Sequence, residues 1–256
     1  MKDETILFDD THHKCVMFSL EDEEHAEHSL SVNQFLIIQN DSAVLIDPGS
    51  EAIFSELYEA ISRHIDPQKI KYIFFSHQDP DVAGGIAQWS VATSAKLVIS
   101  NLWVRFMGHY GLMDMNRIVG LEDHGGKISF GSDYLQFIPA HFLHSPGNFS
   151  LYDSRSKILF SGDIGAAIAS PQNLNKKVDN FEEHRPFLEG FHRRYMASNR
   201  FCRAWVECVR RCDVVSIAPQ HGSLFNGEHA MRFLEWFESV EGGAEQCEAL
   251  YGLDKP

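Results

Sequence analysis

The sequence predicts an α/β fold in which two mixed β-sheets pack face to face with helices on the outside. Three observations predict it. Strand-length apolar or alternating segments recur along the chain, longer segments with helical apolar spacing lie between them, and the β-rich character appears in both halves. At 256 residues, with 44% apolar and 23% charged residues, the chain can bury a substantial core, which excludes a disordered or fibrous protein. No Pro- or Ser-rich linker and no internal repeat interrupts it, so one domain spanning 1–256 is expected, with a short acidic tail after about 242.

The elements follow in order. Residues 15–20, 35–39 and 43–46 read as strands, the last two separated by the turn signal Asn40-Asp41-Ser42, which makes an antiparallel opening. Ser50 is placed to cap a helix over about 51–64, where Ile53, Phe54, Leu57, Ile61 and Ile65 share one face. Residues 70–75 form a buried strand, and a helix beginning near Val82 follows, so 77–81 lies in a strand-to-helix loop, where α/β proteins place their chemistry. A strand at 96–100 and a helix near 102–110 complete the first half. The second half opens with strands at 127–129, 134–139, 149–153 and 157–161. Helices at about 181–198, 200–211 and 227–241 come next, with a strand at 214–218 between the last two.

Charge and cysteine usage narrow the functional classes. A formal charge of −14 argues against nucleic acid, because such binders concentrate Lys and Arg on one face. The five cysteines are odd in number and contain no C-x-x-C pair, so neither a disulfide framework nor a thiolate ribbon is expected, and the compartment reads as the cytoplasm. Residues 1–10 lack the basic and apolar regions of a signal peptide, and no apolar run approaches the roughly 20 residues that span a bilayer, so no membrane association is expected.

Fourteen histidines are more than structure alone demands, and position separates the chemical ones from the rest. Four clusters each follow a predicted strand: His77-Gln-Asp79-Pro-Asp81, His141-Phe-Leu-His144, Ser161-Gly-Asp163 and Pro219-Gln-His221-Gly222. Strand ends at one edge of a sandwich converge, so His77, Asp79, Asp81, His144, Asp163 and His221 form a candidate metal set. Equal numbers of imidazoles and carboxylates suit a first-row ion, and three aspartates neutralise much of a two-metal centre. No G-x-S-x-G elbow is present, and Ser76 and Ser161 read as loop-bracing residues rather than nucleophiles.

The order H-x-D-x-D, H, G-D, Q-H-G across residues 73–223 resembles the metallo-β-lactamase superfamily, whose αβ/βα sandwich carries H-x-H-x-D-H at the first cluster. Hydrolases of that superfamily carry His where this chain has Asp79, whereas flavodiiron oxygen and nitric-oxide reductases carry a carboxylate there. The stretch from Phe191 through Tyr195 to Asn199 and the segment 149–163 also resemble flavodiiron proteins, and 141–149 resembles the stand-alone oxygen-binding diiron proteins. The resemblance implies two irons, one held by His77, Asp79 and His144, the other by Asp81 and His221, with Asp163 bridging. Zinc and manganese are the alternative metals. Where the family pattern continues with His after the third ligand, this chain has Val82, so the second metal is expected to keep an open or water-filled position.

The resemblance implies a non-haem diiron protein that binds dioxygen, either an oxygen sensor or the catalytic module of an oxygen or nitric-oxide reductase. No flavodoxin domain and no FMN site are expected within 1–256, so a separate electron-donor or signalling protein is the expected partner, and a homodimer is compatible with the sequence. The alternative is a dinuclear zinc hydrolase of thioesters, lactones or phosphodiesters, against which Asp79 and Val82 both count. Tyr195 matches a position beside the metals in flavodiiron relatives, where a phenol could hydrogen-bond a small ligand or donate a proton; a core tyrosine is the competing reading. His141 reads as a neighbour of the ligands rather than one of them, and His25 and His28 as members of a solvated acidic loop. Phe142, Phe149 and Phe225 are expected to line an apolar pocket. Cys208 and Cys212 read as buried thiols on one helix face, and His192-Arg193-Arg194 as a solvated helix face that could also dock a partner.

Overall fold

A computed structural model describes residues 3–20, 32–169 and 175–253. Among these, two mixed sheets carry helices, the expected α/β architecture. The first sheet runs in sequence order through β1 (Asp3–Asp9), β2 (His13–Leu20), β3 (Val32–Gln39), β4 (Ser42–Ile46), β5 (Ile70–Phe74), β6 (Lys96–Ser100) and β7 (Ile118–Leu121). β1 to β4 pair antiparallel, and β4 to β7 pair parallel. The second sheet has β8 (Gly126–Phe130), β9 (Asp133–Pro139), β10 (Phe149–Asp153), β11 (Ile158–Gly162), β12 (Ser216–Pro219) and β13 (Phe225–Asn226), in the order β13-β12-β11-β10-β9-β8.

The chain divides into two compact units, Met1–Gln136 with Asp153–Ser156, and Phe137–Tyr152 with Lys157–Pro256. In the first unit the parallel strands are joined by helices, since parallel neighbours require a crossover. These are α1 (Phe54–Ser62), α2 (Pro80–Ala83) and α3 (Ile86–Ala92). α1 turns Leu57, Ala60 and Ile61 inward, where they pack with Leu45, Ile73, Trp89 and Leu97. Ser50 makes no side-chain cap; a 3-10 turn at Glu51–Ile53 leads into α1 instead. The expected helix near 102–110 is a 3-10 helix, Val104–Tyr110, ended by Gly111 at φ +81°, a backbone conformation open to glycine.

In the second unit α4 (Phe181–Tyr195), α5 (Asn199–Val209), α6 (Glu228–Phe237) and α7 (Cys247–Tyr251) accompany β10 to β13. α4 is capped by Asn180, whose side chain accepts from the Glu182 N–H at 3.1 Å. α5 and α6 bury Trp205 and Phe237 edge to face at 5.4 Å, and the Asn199 amide nitrogen donates to the Glu238 and Val240 carbonyls at 2.9 Å each. Cys208 and Cys212 are half-buried against this core, although Cys212 lies past the end of α5. Among the described residues no helix is long and apolar enough to cross a membrane.

Candidate metal centre

The first unit supplies the His77 cluster at the exit of β5. Asp47, just past β4 at φ +50°, donates its N–H to the Phe74 carbonyl (2.9 Å) and accepts from the Ser76 N–H on its carboxylate (2.7 Å). The loop is therefore tied to the neighbouring strand end before it reaches His77. Ser76 Oγ lies 2.9 Å from His77 Nδ1, which orients the buried imidazole and leaves Nε2 as its outward face, 3.8 Å from Asp79 Oδ2. Asp79 caps α2 through its backbone, its carbonyl accepting from the Val82 and Ala83 N–H groups at 3.0 and 2.8 Å, while its carboxylate makes no cap bond. The side chain stays directed out of the helix, with Asp81 one half-turn on and half-buried.

Val82 is fully buried in the core of this unit, so the position where the related pattern has histidine is filled by packing. Tyr110 was not singled out from the sequence: its phenol donates to the Gln78 carbonyl at 2.6 Å and so braces the loop after β5. Burial, with the charges of Asp79 and Asp81, raises its pKa above the ordinary phenol value.

The second unit assembles the other cluster. β11 and β12 are parallel neighbours paired Gly162 to Pro219, so the residues just beyond their ends, Asp163 and His221, emerge side by side. Asp163 Oδ1 lies 3.6 Å from His221 Nε2, and Asp163 Oδ2 lies 2.9 Å from His144 Nε2. One carboxylate thus faces a different imidazole with each oxygen. His144 is carried by the β9–β10 loop, which is closed by Ala140 N–H to the Asn148 carbonyl (2.9 Å) and by the Asn148 side chain to the Leu143 carbonyl (2.7 Å). Gly222, next to His221, has φ +93°, and an added Cβ would stand 2.8 Å from Ala167 Cβ.

The turn after Asp163 is braced by a residue whose role the sequence reading missed. The Gly165 N–H donates to His192 Nε2 at 2.9 Å, and His192 Nδ1 donates to the Leu188 carbonyl at 2.7 Å. His192 is fully buried on α4, and that burial lowers its pKa to about 4, so it is neutral and able to accept. The expectation of a solvated His192-Arg193-Arg194 face is corrected for His192, which packs against Trp236 and Phe237; Arg193 and Arg194 are exposed. Ser161 plays the expected bracing part, its hydroxyl donating to the Ile164 carbonyl.

Tyr195 is 55% exposed, stacks on Phe191 at 4.7 Å and meets His144 edge to face at 5.8 Å, so it is not a core tyrosine. His141 packs edge to face on Phe149. The aromatic pocket expected of Phe142, Phe149 and Phe225 is not formed as such: Phe225 lies in the core of the second unit against Phe233, and Phe142 is 40% exposed against Phe201. His25 and His28 lie outside the described residues.

The donor chemistry fits iron. Imidazole nitrogens and aspartate oxygens, without thiolate, form a hard to borderline set, and each oxygen of Asp163 faces a different imidazole.

Residues 30–222 match the family described as ODP family beta lactamase. A solved structure described as a peroxy diiron species of chemotaxis sensor ODP is 45% identical, with a TM-score of 0.87, over 97% of this chain and 99% of that one. An apo state of chemotaxis sensor ODP from T. denticola is 46% identical with a TM-score of 0.85, again over 97% and 99%. Among curated proteins, flavo-diiron protein FprA2 of Clostridium acetobutylicum is 26% identical over 211 residues, 79% of this chain and 51% of that protein. The chain spans about half the length of the first curated relatives it matches.

Proposed function

The chain belongs to the ODP family beta lactamase family, and from that premise we propose that it is a non-haem diiron protein that binds dioxygen as a sensor. The observation that carries the reading is Asp163, whose two oxygens are addressed by His144 and His221 from two different loops. In this reading His77, Asp79 and His144 hold one iron, Asp81 and His221 hold the other, and Asp163 bridges them. When bound, the iron pair supplies reversible electron transfer to a small ligand such as dioxygen or nitric oxide.

The chain's own residues have three tasks. Ser76 and Asp47 hold the His77 ring at a set angle, His192 holds the turn that carries Asp163, and Tyr110 fixes the carbonyl of Gln78 between two ligands. Tyr195 sets a phenol ring edge to face against the His144 ring at the protein surface, in reach of a small ligand there. Asp79 in place of an imidazole makes the donor set harder and favours iron over zinc.

The sensor role is supported by the relatives described as chemotaxis sensor ODP, which this chain matches along nearly their whole length. A separate signalling protein then reads the state of the site, and the cytoplasm, where thiols such as Cys202 stay reduced, is its proposed location. The test is metal analysis of protein expressed with both iron and zinc available. The reading predicts about two irons per chain, falling together in Asp163→Ala because the bridge serves both. Two zincs per chain, or an Asp163→Ala protein that keeps both irons, would sink it.

A further inference from the structure

A second donor cluster lies in the first unit, apart from the six residues discussed above. His13 and Cys15 on β2 and Asp153 at the end of β10 are all buried to within 2% of full exclusion from solvent. His13 Nε2 lies 2.7 Å from Asp153 Oδ2, Cys15 Sγ lies 3.5 Å from the same oxygen, and Sγ lies 3.6 Å from Nε2. An imidazole nitrogen, a carboxylate oxygen and a sulfur therefore converge on one point.

The surroundings are those of a ligand set. Gln39 presents its amide oxygen to His13 Nδ1, which therefore carries a proton and turns Nε2 inward. Asp153 is held by the Arg155 N–H on Oδ1 at 3.2 Å and by the Ser156 hydroxyl on Oδ2. An oriented imidazole and a hydrogen-bonded carboxylate are the supports that metal ligands ordinarily have. With zinc at about 2.0 Å from nitrogen and oxygen and about 2.3 Å from sulfur, tetrahedral donors stand roughly 3.3 to 3.5 Å apart. The two contacts to sulfur already have that span; the nitrogen–oxygen pair has to open by about 0.6 Å.

We propose that His13, Cys15 and Asp153 form a mononuclear site for a zinc-class divalent cation, with water in the fourth position, that joins β2 to the end of β10. A thiolate beside an imidazole and a carboxylate selects zinc and its analogues over the hard cations. Charge balances: the cation's two positive charges meet one thiolate and one carboxylate around a neutral imidazole. Binding requires the thiol to be deprotonated, so uptake of the cation releases protons. At the β1–β2 turn, Arg155 reaches one oxygen of Asp10, Oδ2, with two guanidinium nitrogens at 2.8 and 2.7 Å.

Cobalt(II) titrated into the full, reduced, metal-depleted chain tests the site. None of the six residues of the proposed diiron centre is a cysteine, so a near-ultraviolet sulfur-to-cobalt charge-transfer band reads this cluster whatever happens at the other. The proposal predicts a band saturating at one cobalt per chain, absent in Cys15→Ser and shifted to roughly 10- to 100-fold weaker affinity in Ser156→Ala, which leaves the apolar core intact. No band in the wild-type chain, a band that survives Cys15→Ser, or an unchanged affinity in Ser156→Ala would overturn it.

Discussion

His192 accepts a hydrogen bond from Gly165 only while its imidazole is neutral, and burial keeps it so by lowering its pKa to about 4. An unfolded histidine takes up its proton near pH 6.5, so between pH 6.5 and 4 the unfolded chain binds more protons and stability falls as pH falls. The contribution reaches up to roughly 3 kcal/mol, from a shift that ends at about 4. Denaturant unfolding at pH 7 and 5 should show about 2 kcal/mol of this loss, and His192→Gln should reduce the slope while leaving the share of His184, whose pKa burial also lowers to about 4; an identical slope in the variant would remove His192 as a cause. Asp79 carries the argument about metal choice: Asp79→His should shift competitive loading from iron toward zinc, and an unchanged iron-to-zinc ratio would defeat the reasoning from ligand hardness. The six candidate donors could be picked from the sequence because each follows a strand within a short polar motif. His192, Tyr110 and the His13–Asp153 pair were not, because their roles arise from partners 27 to 140 residues away that no local pattern links.

Strand ends do the positioning. β11 and β12 run parallel, which sets Asp163 beside His221, and Gly222 lets the chain turn at φ +93° directly after His221. Gly222→Ala places a methyl group against Ala167 in a strained backbone and should cost about 1 kcal/mol or more, with iron content falling alongside; full iron with unaltered thermal unfolding would contradict this. The same reasoning explains which elements could be read in advance. β3 to β6 and β9 to β12 are short apolar runs bounded by turn residues, and they fall where the patterns place them. β1 and β7 escaped notice because both are sheet edges: β1 mixes acids with apolar residues, and β7 is four residues containing a glycine. The helix after β6 tightened to 3-10 geometry because Gly108 and Gly111 lower its helical preference.

At the scale of the whole molecule, each unit has its own apolar core, and each brings part of the proposed ligand set: His77, Asp79 and Asp81 from one, His144, Asp163 and His221 from the other. The fold class could be read from pattern and spacing, whereas the bracing of each candidate loop required the folded chain. The central claim is that these donors hold two irons that bind dioxygen. Iron-loaded protein prepared without oxygen and then titrated with it should develop a visible absorption band that saturates at one dioxygen per chain and is absent from His144→Ala and Asp163→Ala. A wild-type chain that stays colourless with two metals bound, or variants that develop the same band, would contradict the account.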